Sequence, residues 1–353
     1  MQCTSAHVDE GGSGLVGAAD GPDPVRFFLA DEPDLDAVKA LDPDRDVAEF
    51  TNGERTWIAQ TYLRLRAAGY PVELVHLPPD RGIVVFHAKH KHALARLVAP
   101  RSAPVFVATR ADNSMPLLAD FEVLQNGRFA DRRRRFFVPH WPQPGIQPRD
   151  PGRGSMVVRV GYMGLVENLH PDFRTDAWRS AVADAGFEWV PRMARFREMP
   201  GRSTIGWDDY RELDVVLAVR PDERRLRFAK PATKLVNAWR GRVPAIIGVE
   251  YACREIRKSE DDYFEVRGAN DALKALCRLR DDPALYARMV ANGSRRAEEF
   301  SHHAIVGQWA RLLFEILPDR ISSGALAWDR RLPLPLRLPF RRAVRVLSAS
   351  RFR

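Results

Sequence analysis

The stretch KPATKLVNAWRGRVPAIIG, residues 230–248, decides how this chain is read. It follows an apolar run at Asp214–Val219 and closes on a second at Val243–Gly248, both of strand length. Between them the spacing predicts a helix over Pro231–Arg240, with Pro231 at a first position where its missing N–H is not needed. On that helix Lys230, Lys234 and Asn237 share one face, while Leu235 and Trp239 share another and can enter a core. Two lysines four apart repel by roughly 0.2–0.5 kcal/mol unless an anion lies between them. A helix start adds free N–H groups, that of Thr233 among them, and the positive end of a dipole. Two readings stand: a cradle for a diphosphate, or a solvated basic face beside a core helix.

Outward from this stretch, short apolar runs alternate with helical patterns. The first half offers strands at Val25–Ala30, Val72–Leu77, Gly82–His87, Pro104–Thr109, Phe121–Leu124 and Phe136–Val138. Helices are expected at about Glu54–Ala68 and His90–Val98. The second half restarts the rhythm with strands at Val157–Gly161, Glu188–Val190 and Tyr263–Val266. Its helices are expected at Asp172–Ala185, Trp207–Leu213 and Glu250–Arg257, and then on to about Leu317. Strands spaced by helices imply parallel pairing. The segment PQPGIQPRDPGRGS, residues 142–155, holds four prolines and three glycines and reads as a linker. The expected plan is a disordered leader over 1–24, an α/β domain over 25–141, the linker, a second α/β domain over 156–317 and a basic tail over 318–353. The fold class is α/β, two Rossmann-like doubly wound domains facing a cleft.

The segment NAWRGRVPAI, residues 237–246, resembles the nucleotide-sugar segment of GT-B glycosyltransferases. The order strand, KPATK helix, VPAI strand, Glu250 helix is similar to the donor domain of that superfamily, and residues 281–301 look like its C-terminal helices. Residues 52–75 are compatible with an acceptor domain. The resemblance implies transfer of a sugar from a nucleotide-diphosphate donor to an envelope, lipid-linked or small-molecule acceptor, with a hexosyltransferase-like activity. It implies a donor site in the second domain, with Lys230, Thr233 and Lys234 on the diphosphate. The carboxylates that many retaining members carry on this helix and before it are absent; Asn237 stands at one position and Ala229 or Lys230 at the other. Stereochemistry therefore stays unassigned. Asn237 can still bond ribose hydroxyls. Glu250 is either a substitute carboxylate or a helix-start glutamate.

Two further loops should face the cleft, because open α/β sheets bind ligands beyond the carboxyl ends of their strands. Gly161–Gly164, GYMG, would let backbone approach a phosphate, or form a plain turn. His87 ends a strand and opens HAKHKH, residues 87–92; it is a candidate general base, and the loop otherwise a solvated basic one. Asp112 is a rival base or a turn residue. No carboxylate or cysteine lies near the histidines in sequence, so no metal site and no cofactor is expected; the co-substrate is the nucleotide sugar.

Charge and composition narrow the classes. The net charge is +9, but Arg330 to Arg353 holds eight arginines and no acid, leaving 47 basic against 46 acidic residues before it. A nucleic-acid binder carries its basic patch on the fold, so nucleic acid is not the expected partner. The tail reads as an amphipathic stretch for an anionic membrane surface, with Phe340, Ala343, Val344 and Leu347 on one face and Arg341, Arg342 and Arg345 on the other, or as a disordered tail. Three scattered cysteines, with no apolar leader or spanning run, imply a cytoplasmic protein, peripheral on a membrane if the tail binds one. A dehydrogenase needs a Gly-rich turn after its first strand; GGSGLVG, residues 11–17, precedes that strand. The remaining alternative is a non-catalytic two-domain protein that binds a nucleotide or a sugar.

Overall fold

A computed structural model describes residues 23–100, 102–195, 205–222, 230–324, 326 and 328–350. The expected leader up to residue 22 and the last three residues of the tail lie outside the described residues. The first sheet has six parallel strands: β1 (Val25–Phe28), β2 (Val72–Val75), β3 (Ile83–His87), β4 (Val105–Thr109), β5 (Phe121–Leu124) and β6 (Arg135–Phe137). Their order is β2-β1-β3-β4-β5-β6. Next come β7 (Arg159–Gly161), β8 (Met163–Leu165), β9 (Glu188–Trp189), β10 (Arg192–Ala194), β11 (Val215–Ala218), β12 (Ala245–Gly248) and β13 (Phe264–Val266). Five of these form a second parallel sheet, β13-β12-β11-β7-β9, and β8 pairs with β10 alone.

Both sheets start by the same rule. Each sheet's first strand takes the sheet's second strand on one side and its third on the other, so the order of strands reverses between β1 and β3 and between β7 and β11. That arrangement opens a crevice at the carboxyl ends of those strands. The strands are buried on both faces, which is why they read as apolar runs and not as alternating ones.

Several expected elements shift. The helix of the 230–248 stretch spans Thr233–Arg240, so Pro231 precedes it instead of opening it. Residues 207–213 form turns and not a helix: the Gln147 N–H donates to the Asp208 carbonyl at 2.8 Å and the Tyr210 N–H to the Gln147 carbonyl at 2.9 Å, so this backbone bonds to a distant segment and not to its own next turn. Residues 142–155 do not behave as a free linker. The Gln143 N–H donates to the Asn237 side chain at 3.0 Å, and Arg149 reaches the buried Asp214 at 2.8 Å. Asp214 also accepts from Arg153 at 2.8 Å and from the backbone N–H groups of Val158 and Arg159. The segment is bolted to the second sheet by a carboxylate far away in sequence.

The expected boundary at 317 moves as well. Ile305, Trp309, Leu312, Leu313 and Leu317 belong to the core of the first sheet, whereas Phe300 belongs to that of the second. The chain thus crosses between domains twice, near 141–143 and near 300–305. The two crossings touch where the Trp141 and His302 rings lie 6.2 Å apart.

The basic tail is docked, not detached. A helix spans Leu334–Ser350, and Leu334 lies in a core cluster with Phe28, Phe86, Leu94 and Phe106. The buried Asp120 accepts from Arg330 and, at 2.8 Å, from Arg341. Deleting 330–353 should therefore lower the melting temperature. It removes both cations from a carboxylate that is 3% exposed, and breaking such a pair costs about 3–5 kcal/mol. Scanning calorimetry of full-length and truncated chains checks this; equal melting points would return the tail to a detachable appendage.

Candidate functional site

The crevice beside β7/β11 holds two cations, Lys234 and Arg220. Lys234 sits in the first turn of the Thr233–Arg240 helix and donates its ammonium to the Met163 carbonyl. The same ammonium stands 4.6 Å over the Tyr162 ring. As a residue Lys234 keeps partial exposure, yet its charged end lies deep among protein groups. Burial first, then the Arg220 charge beside it, pull its pKa down to about 7. Arg220 follows β11 by two residues and pairs with Glu250 at 3.0 Å, both nearly excluded from water. Gly164, at a φ of +153°, has no room for a side chain, since a Cβ there would meet the Lys234 ammonium.

The Thr233–Arg240 helix has no side-chain cap, so its first N–H groups stay open. The Thr233 hydroxyl is buried without a hydrogen-bond partner. Lys230 lies outside the helix. Its ammonium crosses the cleft to Asp112, so the two lysines do not stand side by side on one helical face as the spacing suggested. Asp112 also accepts from Gln125 at 2.7 Å. It therefore bridges the domains instead of standing as an uncommitted base.

The first domain contributes His87 at the end of β3. It is 4% exposed, its Nδ1 accepts from the Lys89 N–H, and its Nε2 has no hydrogen-bond partner. Burial holds the imidazole down at about 4, so the ring is neutral at neutral pH, and with Nδ1 accepting from Lys89 its one proton sits on Nε2. Gly53 lies against that ring, with space for a Cβ only 3.3 Å from Nε2. Gly53 also lines a cavity of about 170 Å³ between the domains, shared with Asn52, His140, Gln143, Trp207 and Thr233. Aromatic faces, amides and the unpaired Thr233 hydroxyl meet in this recess, and His87 lies behind Gly53 without lining it.

The other expected site residues take different places. Gly161 is inside β7, where a Cβ would run into the Leu213 side chain; packing accounts for it without a ligand. The Asn237 side-chain oxygen is committed to the Gln143 N–H. Glu250 stands at the start of the Tyr251–Ile256 helix without capping it and faces Arg220. Arg220 and Tyr162 were missed. A charged residue just past a fully buried strand at a switch point is the signal that finds Arg220; nothing local marks Tyr162 beyond its flanking glycines. Three contacts hold the cleft edges together: the Gly127 N–H to Glu255 at 2.7 Å, Arg128 3.9 Å over the Tyr251 ring, and Lys230 to Asp112. Among the described residues no group of three or more His, Cys, Asp or Glu side chains is placed to hold a metal ion.

No protein-family model and no curated protein matches the chain. Solved structures do. Anabaena HepE in complex with UDP-glucose matches with a TM-score of 0.52 at 12% identity, over 82% of this chain and 99% of that one. Sucrose-phosphate synthase from Thermosynechococcus elongatus matches with a TM-score of 0.51 at 12% identity, over 84% and 99%. TarM matches over 73% of this chain at a TM-score of 0.48 and 10% identity, and the chain spans 59% of its length. The architecture is therefore the GT-B fold, as the 230–248 stretch implied.

Proposed function

We propose that this chain is a glycosyltransferase that takes its sugar from a nucleoside diphosphate donor. The observation that carries the reading is the Lys234 ammonium, sunk beside Tyr162 and Gly164 next to Arg220, with an uncapped helix start adjoining. Lys234 and Arg220 share one carboxylate, Glu250, and two cations on one counter-charge are in an unfavourable state that a diphosphate relieves. HepE, whose fold this chain shares, binds UDP and UDP-glucose.

In this reading the diphosphate lies against Lys234, Arg220 and the Thr233 end of the helix. The bond from the anomeric carbon to the phosphate oxygen breaks, and these groups neutralise the leaving charge without a metal ion. The acceptor occupies the recess lined by Asn52, Gln143 and Trp207. Its hydroxyl bonds to the sugar and gives its proton to the His87 imidazole, which takes it at Nε2 once the ring proton has moved to Nδ1 and the contact from the Lys89 N–H is released. Lys230–Asp112 closes the cleft over both. Acceptors of the right class are saccharides, lipid-linked or envelope glycans, or a small hydroxylated molecule; a hexosyl donor fits the resemblance.

A panel of uridine, guanosine, adenosine and thymidine diphosphates should include one that raises the melting temperature. A ligand present at 100 times its Kd adds about 2.7 kcal/mol. Thermal shift checks this, and no shift at millimolar concentration for any of them would remove the donor site. Release of the diphosphate from a cognate nucleotide sugar, unchanged by EDTA, separates an enzyme from a binding protein. Activity lost with EDTA and restored by a divalent ion would replace the metal-free reading.

A further inference from the structure

The final helix turns its charges inward. Amphipathic helices ordinarily put the apolar stripe on the core and the charges in water. On Leu334–Ser350 the inward sector holds Leu334, Arg337, Leu338, Arg341 and Arg345. Arg341 reaches Asp120, Asp329 and the carbonyls of Leu117, Leu118 and Ala119; Arg337, 3% exposed, reaches those of Arg330 and Leu332. Arg345 reaches the Met115 carbonyl at 2.9 Å. The seat under the helix is made of carboxylates and open carbonyls, so it takes the cationic stripe.

The outward sector is then apolar. Leu336, Pro339, Ala343 and Val346 recur at the spacing of one helix face and are all exposed, Leu336 by 60% and Val346 by 63%. Trp328, 64% exposed, continues the strip, its ring 4.9 Å from that of Phe340. A contiguous apolar strip in water marks a surface that meets something. The charge around it says what. Arg331 and Arg342 are exposed beside it, and no acid occurs from Arg330 to Arg353. A second copy of this helix would bring arginines against arginines with no counter-charge, whereas an anionic bilayer supplies the counter-charge and an apolar phase together.

We propose that this outward face lies in the headgroup layer of an anionic membrane, with Trp328, Leu336 and Val346 inserted and Arg331 and Arg342 on lipid phosphates. Among the described residues no helix is long and apolar enough to cross a membrane, so contact is in the plane of the surface. The inference does not depend on the transferase reading. It also reverses the role of half of the tail's arginines: Arg330, Arg337, Arg341 and Arg345 serve the protein, and the apolar side serves the lipid.

The test is co-sedimentation of the full chain with phosphatidylcholine vesicles containing or lacking phosphatidylglycerol. The full chain should pellet with the anionic vesicles, with a blue shift in emission that Trp328→Phe loses. Leu336→Ser with Val346→Ser should keep the melting temperature and lose roughly tenfold or more in partitioning. High salt should weaken binding only in part, because insertion is not screened. Arg342→Glu, on the rim, should weaken binding to anionic vesicles alone. Equal pelleting of the double variant and the parent overturns the proposal. So does a concentration-dependent dimer in sedimentation velocity that the double variant abolishes, which would assign the face to a second copy.

Discussion

Lys234→Met should raise the melting temperature of the free protein at neutral pH and, in the same variant, reduce its stabilisation by nucleoside diphosphates. The two effects share one cause. The ammonium is held at a pKa of about 7, against 10.5 for a free lysine, by burial and by Arg220. Keeping it charged in the folded state costs on the order of 2–4 kcal/mol after allowance for its partial exposure. Methionine fills the same volume without the charge. It forfeits the contact with the Met163 carbonyl and the Tyr162 ring, so the net gain should be about 1–2 kcal/mol. Loss of a charge-assisted contact to phosphate should weaken binding by about 1.5–3 kcal/mol, or roughly 10- to 150-fold.

The pH dependence distinguishes this from ordinary removal of a surface charge. Below about pH 7 both folded and unfolded chains carry the proton, and the penalty is complete. Between about 7 and 10.5 the unfolded chain keeps the proton and the folded chain sheds it, so the parent protein gains stability relative to the variant as pH rises. Binding runs the other way. A diphosphate raises the Lys234 pKa, so binding takes up a proton and affinity should fall as pH climbs above 7. Paired melting curves across pH 6 to 10, with and without nucleotide, read both slopes. A variant no more stable than its parent, with unchanged nucleotide affinity, would return Lys234 to an ordinary solvated face.

Asp214→Ala should be among the most damaging single substitutions away from the cleft. Its carboxylate is fully buried and receives two guanidinium groups, from Arg149 and Arg153, and two backbone N–H groups. Removing it strands the Arg149 cation, only 6% exposed, and costs about 3–5 kcal/mol. By contrast the Arg211–Asp209 pair, with Arg211 60% exposed, should contribute less than about 1 kcal/mol. Urea unfolding of Asp214→Ala beside Arg211→Ala measures the difference. Acid should act on the same group. Burial raises the Asp214 pKa, but the hydrogen bonds led by Arg153 outweigh it and the net direction is down. Its contribution is thus present above the ordinary aspartate value and lost as pH falls below it. Comparable losses for the two variants would show that the 142–155 segment is not pinned as the structure has it.

How much of this was legible beforehand differs by residue. β3, β4, β5 and β12 lay within a residue or two of expectation, because strands buried on both faces leave uninterrupted apolar runs. β8 and β10 were not found as strands; they are three residues each, and one passes through the turn-like GYMG. Asp112 was singled out as a residue past a strand end, but its engagement by Lys230 spans 118 positions and has no local mark. Gly161 and Gly164 look alike in sequence, yet one packs on Leu213 and the other makes space for an ammonium.

The sequence by itself determined the alternation of strand and helix, the parallel two-domain plan and the amphipathic period of the last helix. Those follow from apolar runs of strand length set between helical patterns of period 3.6, a property of neighbours. Only the tertiary structure decided where charge resides. It placed Asp120 under a helix more than 200 residues later, Asp214 under Arg149 and Arg220 beside Lys234. An arginine's preference for water or protein depends on whether a carboxylate or a carbonyl meets it at hydrogen-bond distance. Chain contacts across the fold, and not the residues beside it, bring that partner there.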